Sequence, residues 1–278
     1  MQFAIGVFVM LNAQMLYCCF KPLQGMKKVF PVFLFLYYTI TFSQNDASSF
    51  QQGEYLKYKI QYGLLNAGMA SVEIKNGLGV NDSLFHTVGK GWTTGMVNFL
   101  FPTEDVYESY FYENSLRPKH FIRKINEGGY TQDKEIYFDF EKHQAKVLNH
   151  KKGTENSYFI QNNVQDMLSS FYYMRRIDFS NLKQNDSIDI NMFFDEKMYP
   201  IKLIILDRET IKTNFGKINT IKIRPLVQKG RIFKDEENVT LWISDDLNKI
   251  PLKIKASLIV GSAKAELIEY NGLVHPFP

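Results

Sequence analysis

The sequence predicts a mainly β protein, built as a curved antiparallel sheet, half-barrel or sandwich with one helix around residues 164–176. Three observations carry this expectation. Apolar and polar residues alternate with period two over most of the chain, the spacing of strands with one buried and one wet face. Turn-forming residues separate these runs at roughly 8- to 12-residue intervals, as in sandwiches and barrels. A single segment departs to helical spacing.

In chain order, Leu56, Tyr58, Ile60 and Tyr62 face one way in the first strand and Lys57, Lys59 and Gln61 the other. Leu64–Gly68 reads as a turn, and Met69–Ile74 resumes with Ala70, Val72 and Ile74 inward. Further strands are expected at Phe85–Trp92, Val106–Tyr112, Phe121–Ile125, Glu135–Phe140, Ala145–Leu148 and Tyr158–Ile160. The helix follows over Gln165–Arg176. Asn163 stands at its cap position, Asp166 in its first turn, and Val164, Leu168, Phe171 and Tyr172 on one face. A second series runs through Met192–Phe194, Ile201–Leu206, Gly216–Ile223, Val239–Ser244, Leu252–Leu258 and Ala265–Tyr270. Asp245-Asp246-Leu247-Asn248 signals a turn, and Pro251 then suits an edge strand, where its missing N–H costs no ladder bond. Residues 53–278 thus form one β-rich domain, with two sheets joined at the helix region, 163–186, as an alternative to one continuous sheet.

The leader decides the expected compartment. Lys27 and Lys28 precede an apolar run from Val29 to Phe42, with Ser43 and Gln44 after it: the layout of a secretory signal peptide from Met26 to about Gln44. The run is short for a spanning helix, which needs about 20 apolar residues. Met26 is accordingly read as the true start, residues 1–44 as a leader, and 45–52 as a flexible arm. Leu16-Tyr17-Cys18-Cys19 places the bulky Tyr17 where a lipidation signal needs a small residue, so lipidation is not expected. Of 33 Lys and Arg, the three in the leader leave 30 against 29 acidic residues, a net charge of +1. No nucleic-acid partner follows from that balance. Both cysteines lie in the leader, so the exported part is expected to lack disulfides and thiol chemistry.

Three separated blocks resemble the domain of unknown function 3108 family. They are Gly53-Glu54-Tyr55-Leu56-Lys57-Tyr58 with Ala67-Gly68, then Gln165–Arg175, then Leu241–Asp246 with Ile250-Pro251-Leu252 and Gly261-Ser262. The resemblance implies an exported bacterial protein of antiparallel strands around a helix, and it implies no activity.

No motif of known chemistry stands beside it. His86, His120, His143, His150 and His275 share no ligand spacing, so neither metal nor other cofactor is expected. Ser180-Asn181-Leu182-Lys183 matches the SxxK pattern without its companion motifs, and there is no GxSxG elbow. Gly77-Leu78-Gly79 and Gly128-Gly129 lack the context of a phosphate loop. Asp82-Ser83-Leu84 and Asp186-Ser187-Ile188 match a three-residue glycosylation pattern.

The aromatic content, 23 Phe and 16 Tyr, rises above this background. Tyr58, Tyr62, Trp92, Phe171, Tyr172 and Trp242 are the candidate ligand-binding residues of an inner cavity. Trp92–Phe101 is apolar enough for a flap or lipid-contacting loop. Asp105, Asp166 and Arg175 are candidates for a polar site or buried ion pair, with Arg175 or Arg176 as the partner of Asp105. The function expected is a non-enzymatic envelope or periplasmic protein that binds a lipid or other apolar ligand. Its alternatives are a hydrolase of envelope glycan or lipid using Asp105, Asp166 or Arg175, and a scaffold docking other envelope proteins.

Overall fold

The computed structural model describes residues 48–76, 84–226, 239–258 and 261–278. The expected leader, its cysteines, Gly77-Leu78-Gly79 and the serine of Asp82-Ser83-Leu84 lie outside the described residues. Among those described, no helix is long and apolar enough to cross a membrane. The first limb comprises β1 (Tyr55–Tyr62), β2 (Leu65–Ile74), β3 (Leu84–Thr93), a short α1 (Gly95–Leu100), β4 (Glu104–Tyr112), β5 (Pro118–Glu127), β6 (Tyr130–Asp139), β7 (Gln144–Asn149) and β8 (Thr154–Phe159). The second comprises β9 (Val164–Gln165), α2 (Met167–Arg175), β10 (Ser187–Phe194), β11 (Lys197–Thr213), β12 (Gly216–Leu226), β13 (Val239–Ser244), β14 (Pro251–Ser257) and β15 (Ser262–Asn271).

Among the described residues, all 15 strands belong to one open sheet, in the order β8 through β1, then β15 back to β9. The alternative of two sheets is therefore set aside. The seam is the antiparallel pairing of the first and last strands, from Tyr55 opposite Asn271 to Tyr62 opposite Ala263. Every other pair is antiparallel except β9 with β10. Pro251 is a second correction: β14 lies between β13 and β15, not at an edge. The proline is tolerated because the β14–β15 ladder begins only at Lys253, and a register shift between Trp242 and Ile243 absorbs it on the β13 side.

Alternation has the consequence expected of it. Leu56, Tyr58 and Ile60 are buried on β1, Ala70, Val72 and Ile74 on β2, and Leu241 and Ile243 on β13. These inner faces meet one another and α2, which lies on β3, β4 and β10. The described end of the arm is packed down: Phe50 is buried, with its ring 4.7 Å from Tyr172 and 5.6 Å from Phe85.

The helix starts at a different cap from the one expected. Asp166, not Asn163, is the N-cap, because its carboxylate accepts from Leu168 N and Ser169 N at 2.8 Å while Ser169 Oγ accepts from Asp166 N at 2.9 Å. Asn163 instead lies within hydrogen-bond distance of Asn191. The reciprocal box satisfies helix-end groups that burial denies to water. Gly89 on β3 makes the seat: a Cβ there would come within 3.0 Å of the Leu168 side chain.

At the other end of α2, Arg175 is fully buried against Glu54, which is equally buried. Its guanidinium donates to both Glu54 oxygens, with Nη2 at 2.8 Å from Oε2, and also to Ser49 O at 2.7 Å and Asn248 O at 3.0 Å. Phe50, Phe171 and Tyr172 surround it, with ring centroids 5.4–5.9 Å from Cζ. Such a bidentate pair satisfies the fork geometry that only arginine offers.

The two limbs also touch. The β10–β11 turn places Asp195 and Glu196 at φ 45° and 66°, a left-handed pair that non-glycine residues adopt at a cost. Side-chain contacts between the limbs offset it. Asp195 pairs with Arg123 of β5, Glu196 Oε1 lies 2.8 Å from Lys134 Nζ of β6, and Tyr158 of β8 donates to Glu196 Oε2 at 2.7 Å.

Arg175→Met strands the Glu54 charge in the core and is expected to destabilise the fold by roughly 3–5 kcal/mol. Adding Glu54→Leu is expected to recover much of that loss, because no lone charge is then left buried. Equilibrium urea unfolding measures both, and an Arg175→Met protein as stable as the parent contradicts the anchoring role.

Candidate functional site

An apolar pocket of about 310 Å³ opens at the end of the inner face where β1, β3 and β14 finish. That volume lies at the lower end of the range of ligand sites. Four alanines make the space: Ala67, Ala256, Ala263 and Ala265 line it together with Ile60, Ile254 and Leu258. Val97 and Phe101, from α1 and the residue after it, form its lid side, and Tyr62 stands at the lip. The only charged residue on the lining is Lys264. Its ammonium lies 2.9 Å from Glu266 Oε2, so the charge is already matched by a carboxylate.

The lid side is held by a compact hydrogen-bond knot. Thr93 Oγ1 accepts from Thr103 N at 2.9 Å and lies 2.9 Å from Asn98 Oδ1 and 3.2 Å from Phe101 O. Gly128, at φ 55°, lets the Phe101 ring lie directly on the β5–β6 turn, since a Cβ there would fall 2.3 Å from the ring. The sequence thus builds a fixed frame around an apolar opening.

Beside this pocket, on β4 and β5, lies a buried ionisable group. Asp105 accepts from Asn126 N at 3.2 Å and neighbours Glu127. Burial, joined by the Glu127 charge, pushes the Asp105 carboxyl up to about 6. Burial likewise raises the nearby Tyr107 hydroxyl. Asp166 is pushed up to about 6 by burial, against the hydrogen bonds from Ser109, Ser169 and Leu168 that favour its charged form. Raised carboxyls are found at catalytic centres and at structural ones alike. Here each is enclosed by its own set of partners.

The candidate residues separate into distinct places. Asp105, Asp166 and Arg175 do not converge: Asp105 meets Asn126, Asp166 caps α2 and accepts from Ser109 Oγ at 2.5 Å, and Arg175 pairs with Glu54. The expected pairing of Asp105 with Arg175 or Arg176 is corrected accordingly; Arg176 donates to Asn114 O. Of the six aromatic candidates, only Tyr62 borders the pocket. Tyr58, Phe171 and Tyr172 are packed within the closed core. Trp242 alternates with inward Leu241 and Ile243, and so faces outward. There it donates to Glu209 Oε1 at 2.7 Å, and Lys222 and Lys253 lie over its ring. Trp92, half-buried, sits on the outer face opposite Met69 and Glu104.

The remaining motifs are structural. His86, Tyr110, His120 and Tyr137 stack across β3–β6, with His86 against Glu108 at 2.7 Å and both His120 and His150 against Glu135 at 3.0 Å. Among the described residues, no group of three or more His, Cys, Asp or Glu is placed to hold a metal ion. Ser180 is exposed in a turn and its N–H donates to Asp178. Asp246 fixes the β13–β14 turn by accepting from Lys249 N at 2.9 Å, and Asp186 accepts from Lys183 N at 2.8 Å. A wider cleft of about 500 Å³ is lined by the polar Asn114, Ser115, Arg176, Asp178 and Ser187 and equally by the apolar Leu116, Ile177, Leu182 and Ile188.

Fold and site together describe an open meandering sheet with a helix on its inner face and an apolar opening at one end. Residues 57–268 match the profile of the family described as "Protein of unknown function (DUF3108)", and the chain belongs to that family. No curated protein matches it in sequence. Among solved structures, it resembles a β-barrel-like protein of domain of unknown function DUF1849 from Brucella abortus. The identity is 10%, with 80% of this chain and 98% of that one covered and a TM-score of 0.56. That likeness concerns the fold alone. A protein designated CT021 from Chlamydia trachomatis aligns at 8% identity over 82% and 90% of the two chains, with a TM-score of 0.37.

The raised carboxyls give a pH dependence of known sign. Their folded values near 6 exceed the ordinary 3.8, so the folded state binds more protons between those limits. Their contribution is therefore full below 3.8 and is lost as pH rises through about 6. Asp166→Asn is expected to flatten this fall by up to about 3 kcal/mol across the window, and Asp105→Asn by less, because its rise is shared with Glu127. Urea midpoints from pH 3.5 to pH 7 test it, and unchanged slopes in both variants contradict it.

Proposed function

We propose that the chain is a non-enzymatic protein of the bacterial envelope that holds the apolar part of a lipid or other amphipathic molecule in the pocket at the end of its sheet. The single observation that carries this reading is the lining itself. Alanine, isoleucine and leucine side chains face an opening in which the only cation is matched by a carboxylate. Such a space welcomes hydrocarbon and offers a buried charge nothing. The polar end of an amphipathic guest would remain at the lip, near Tyr62. The leader expected from Met26 to about Gln44 supports an exported location, where such molecules are met.

A scaffold reading has one observation in its favour: β8 is the end strand of the sheet, and its side chains are mostly exposed. The hydrolase alternative has none, because Asp105, Asp166 and Arg175 stand apart in closed networks.

Ala256→Trp fills the pocket without touching the Glu54–Arg175 anchor. The parent protein is expected to bind an environment-sensitive naphthylamine probe and to release it to a long-chain fatty acid. The variant is expected to bind at least tenfold more weakly, with little change in its thermal midpoint. Equal binding by the two proteins, or none by the parent, contradicts the proposal.

A further inference from the structure

The outside of the pocket mouth carries an observation of its own. Two adjacent tips, the β1–β2 turn and α1, present Leu64, Leu65, Met96, Phe99 and Leu100 at 99%, 61%, 76%, 85% and 72% exposure. They are neighbours in space, since Thr94 N donates to Ala67 O and Gly68 pairs with Thr93. Isolated exposed leucines are ordinary, but five large apolar side chains on two neighbouring tips form a patch that marks an interaction surface.

Charge decides which kind of surface. Charged residues make up 22% of the chain, yet none occurs from Tyr62 to Val72 or from Gly91 to Thr103. The opposite end of the same strands is different. The β4–β5 connection carries Glu113 and Arg117, and the β13–β14 connection carries Asp245, Asp246 and Lys249. Leu64, Met96, Phe99 and Leu100 stand clear of the pocket lining on their two tips, and only Leu65 reaches the pocket rim. A protein partner would have to supply the concavity and match a polar rim. A fluid hydrocarbon layer needs neither, and it accepts uncharged tips that carry Leu, Met and Phe.

We infer that this end of the molecule docks on a lipid surface, with Leu64, Leu65, Met96, Phe99 and Leu100 entering the outermost acyl layer. The inference does not require the pocket to hold anything. If the pocket does bind a lipid, the docked orientation brings its mouth to the membrane from which that lipid comes. No charged residue lies on the two tips, so docking is driven by apolar burial and is insensitive to salt and to lipid charge.

Flotation of the exported protein with phosphatidylcholine vesicles, in low and in high salt, tests this. The parent is expected to float in both conditions. Leu64→Lys with Phe99→Lys is expected to remain at the bottom of the gradient and to keep the parent's thermal midpoint. Both positions are exposed, so the fold does not depend on them. Ala256→Trp is expected to float like the parent, which separates loss of docking from loss of the pocket. The inference is overturned if the parent does not float or if the double variant floats equally. Flotation that requires phosphatidylglycerol and disappears in salt also overturns it, as does a parent that stays lipid-free and elutes as a dimer that the double variant abolishes.

Discussion

A buried arginine–glutamate pair organises one end of this molecule. Arg175 closes the helix, Glu54 opens the first strand, and neither retains access to water. The cost of burying two charges is offset because almost every donor of the guanidinium has an acceptor. Those acceptors come from places far apart in sequence: Ser49 in the arm, Glu54 before β1, and Asn248 in the β13–β14 turn. Asn248 then exchanges two hydrogen bonds of 3.0 Å with the His275 backbone, which ties down the C-terminal segment. One charge pair therefore fixes the arm, the seam of the sheet, the helix and the tail. The three sequence blocks that resemble the family contribute Glu54, Arg175 and the strand leading into the Asn248 turn. In this fold those blocks come together at a structural anchor.

The opposite end is built on different chemistry. There the inner face is carpeted with alanine, and a short apolar helix lies over the opening. Its fixed points are the Thr93 hydroxyl and the Phe101 ring on Gly128, not buried charges. A long sheet meets two demands with its two ends: one locks the chain, and the other leaves apolar surface available. The left-handed Asp195–Glu196 turn adds a third tie, since its ion pairs with β5 and β6 hold the two limbs together.

Much of the fold was legible in the sequence because period two is a local signal. Twelve of the thirteen strands beyond the first hairpin, and the helix α2, lie close to where alternation and helical spacing put them; the two-residue β9 and the short α1 carry no such signal. The rest depended on pairing at a distance. Arg175 and Glu54 are 121 positions apart, and no local pattern names a carboxylate as that arginine's partner. Pro251 read as an edge residue because the β1–β15 seam, which makes β14 an inner strand, is invisible along the chain. Asn163 and Asp166 both satisfied the rule for a cap, and only burial beside Ser109 separates them. The pocket was sought among aromatic residues, which fill space. Its actual signal was small residues at inward positions, such as Ala263 and Ala265 on β15. Trp242 was readable as outward-facing from its alternation with Leu241 and Ile243, had orientation been weighed above ring size.

The central claim is this division between a locked end and a receptive one, and hydrogen–deuterium exchange resolved along the chain tests it most directly. The account predicts that amides around Glu54, Arg175 and Asn248 exchange together, at the slowest rate set by global unfolding. Amides from Thr94 to Phe101 are predicted to exchange far faster, and to slow when phosphatidylcholine vesicles are added. Slow exchange that is uniform across both ends, or protection by lipid that appears around Arg175 and not at α1, would contradict the account.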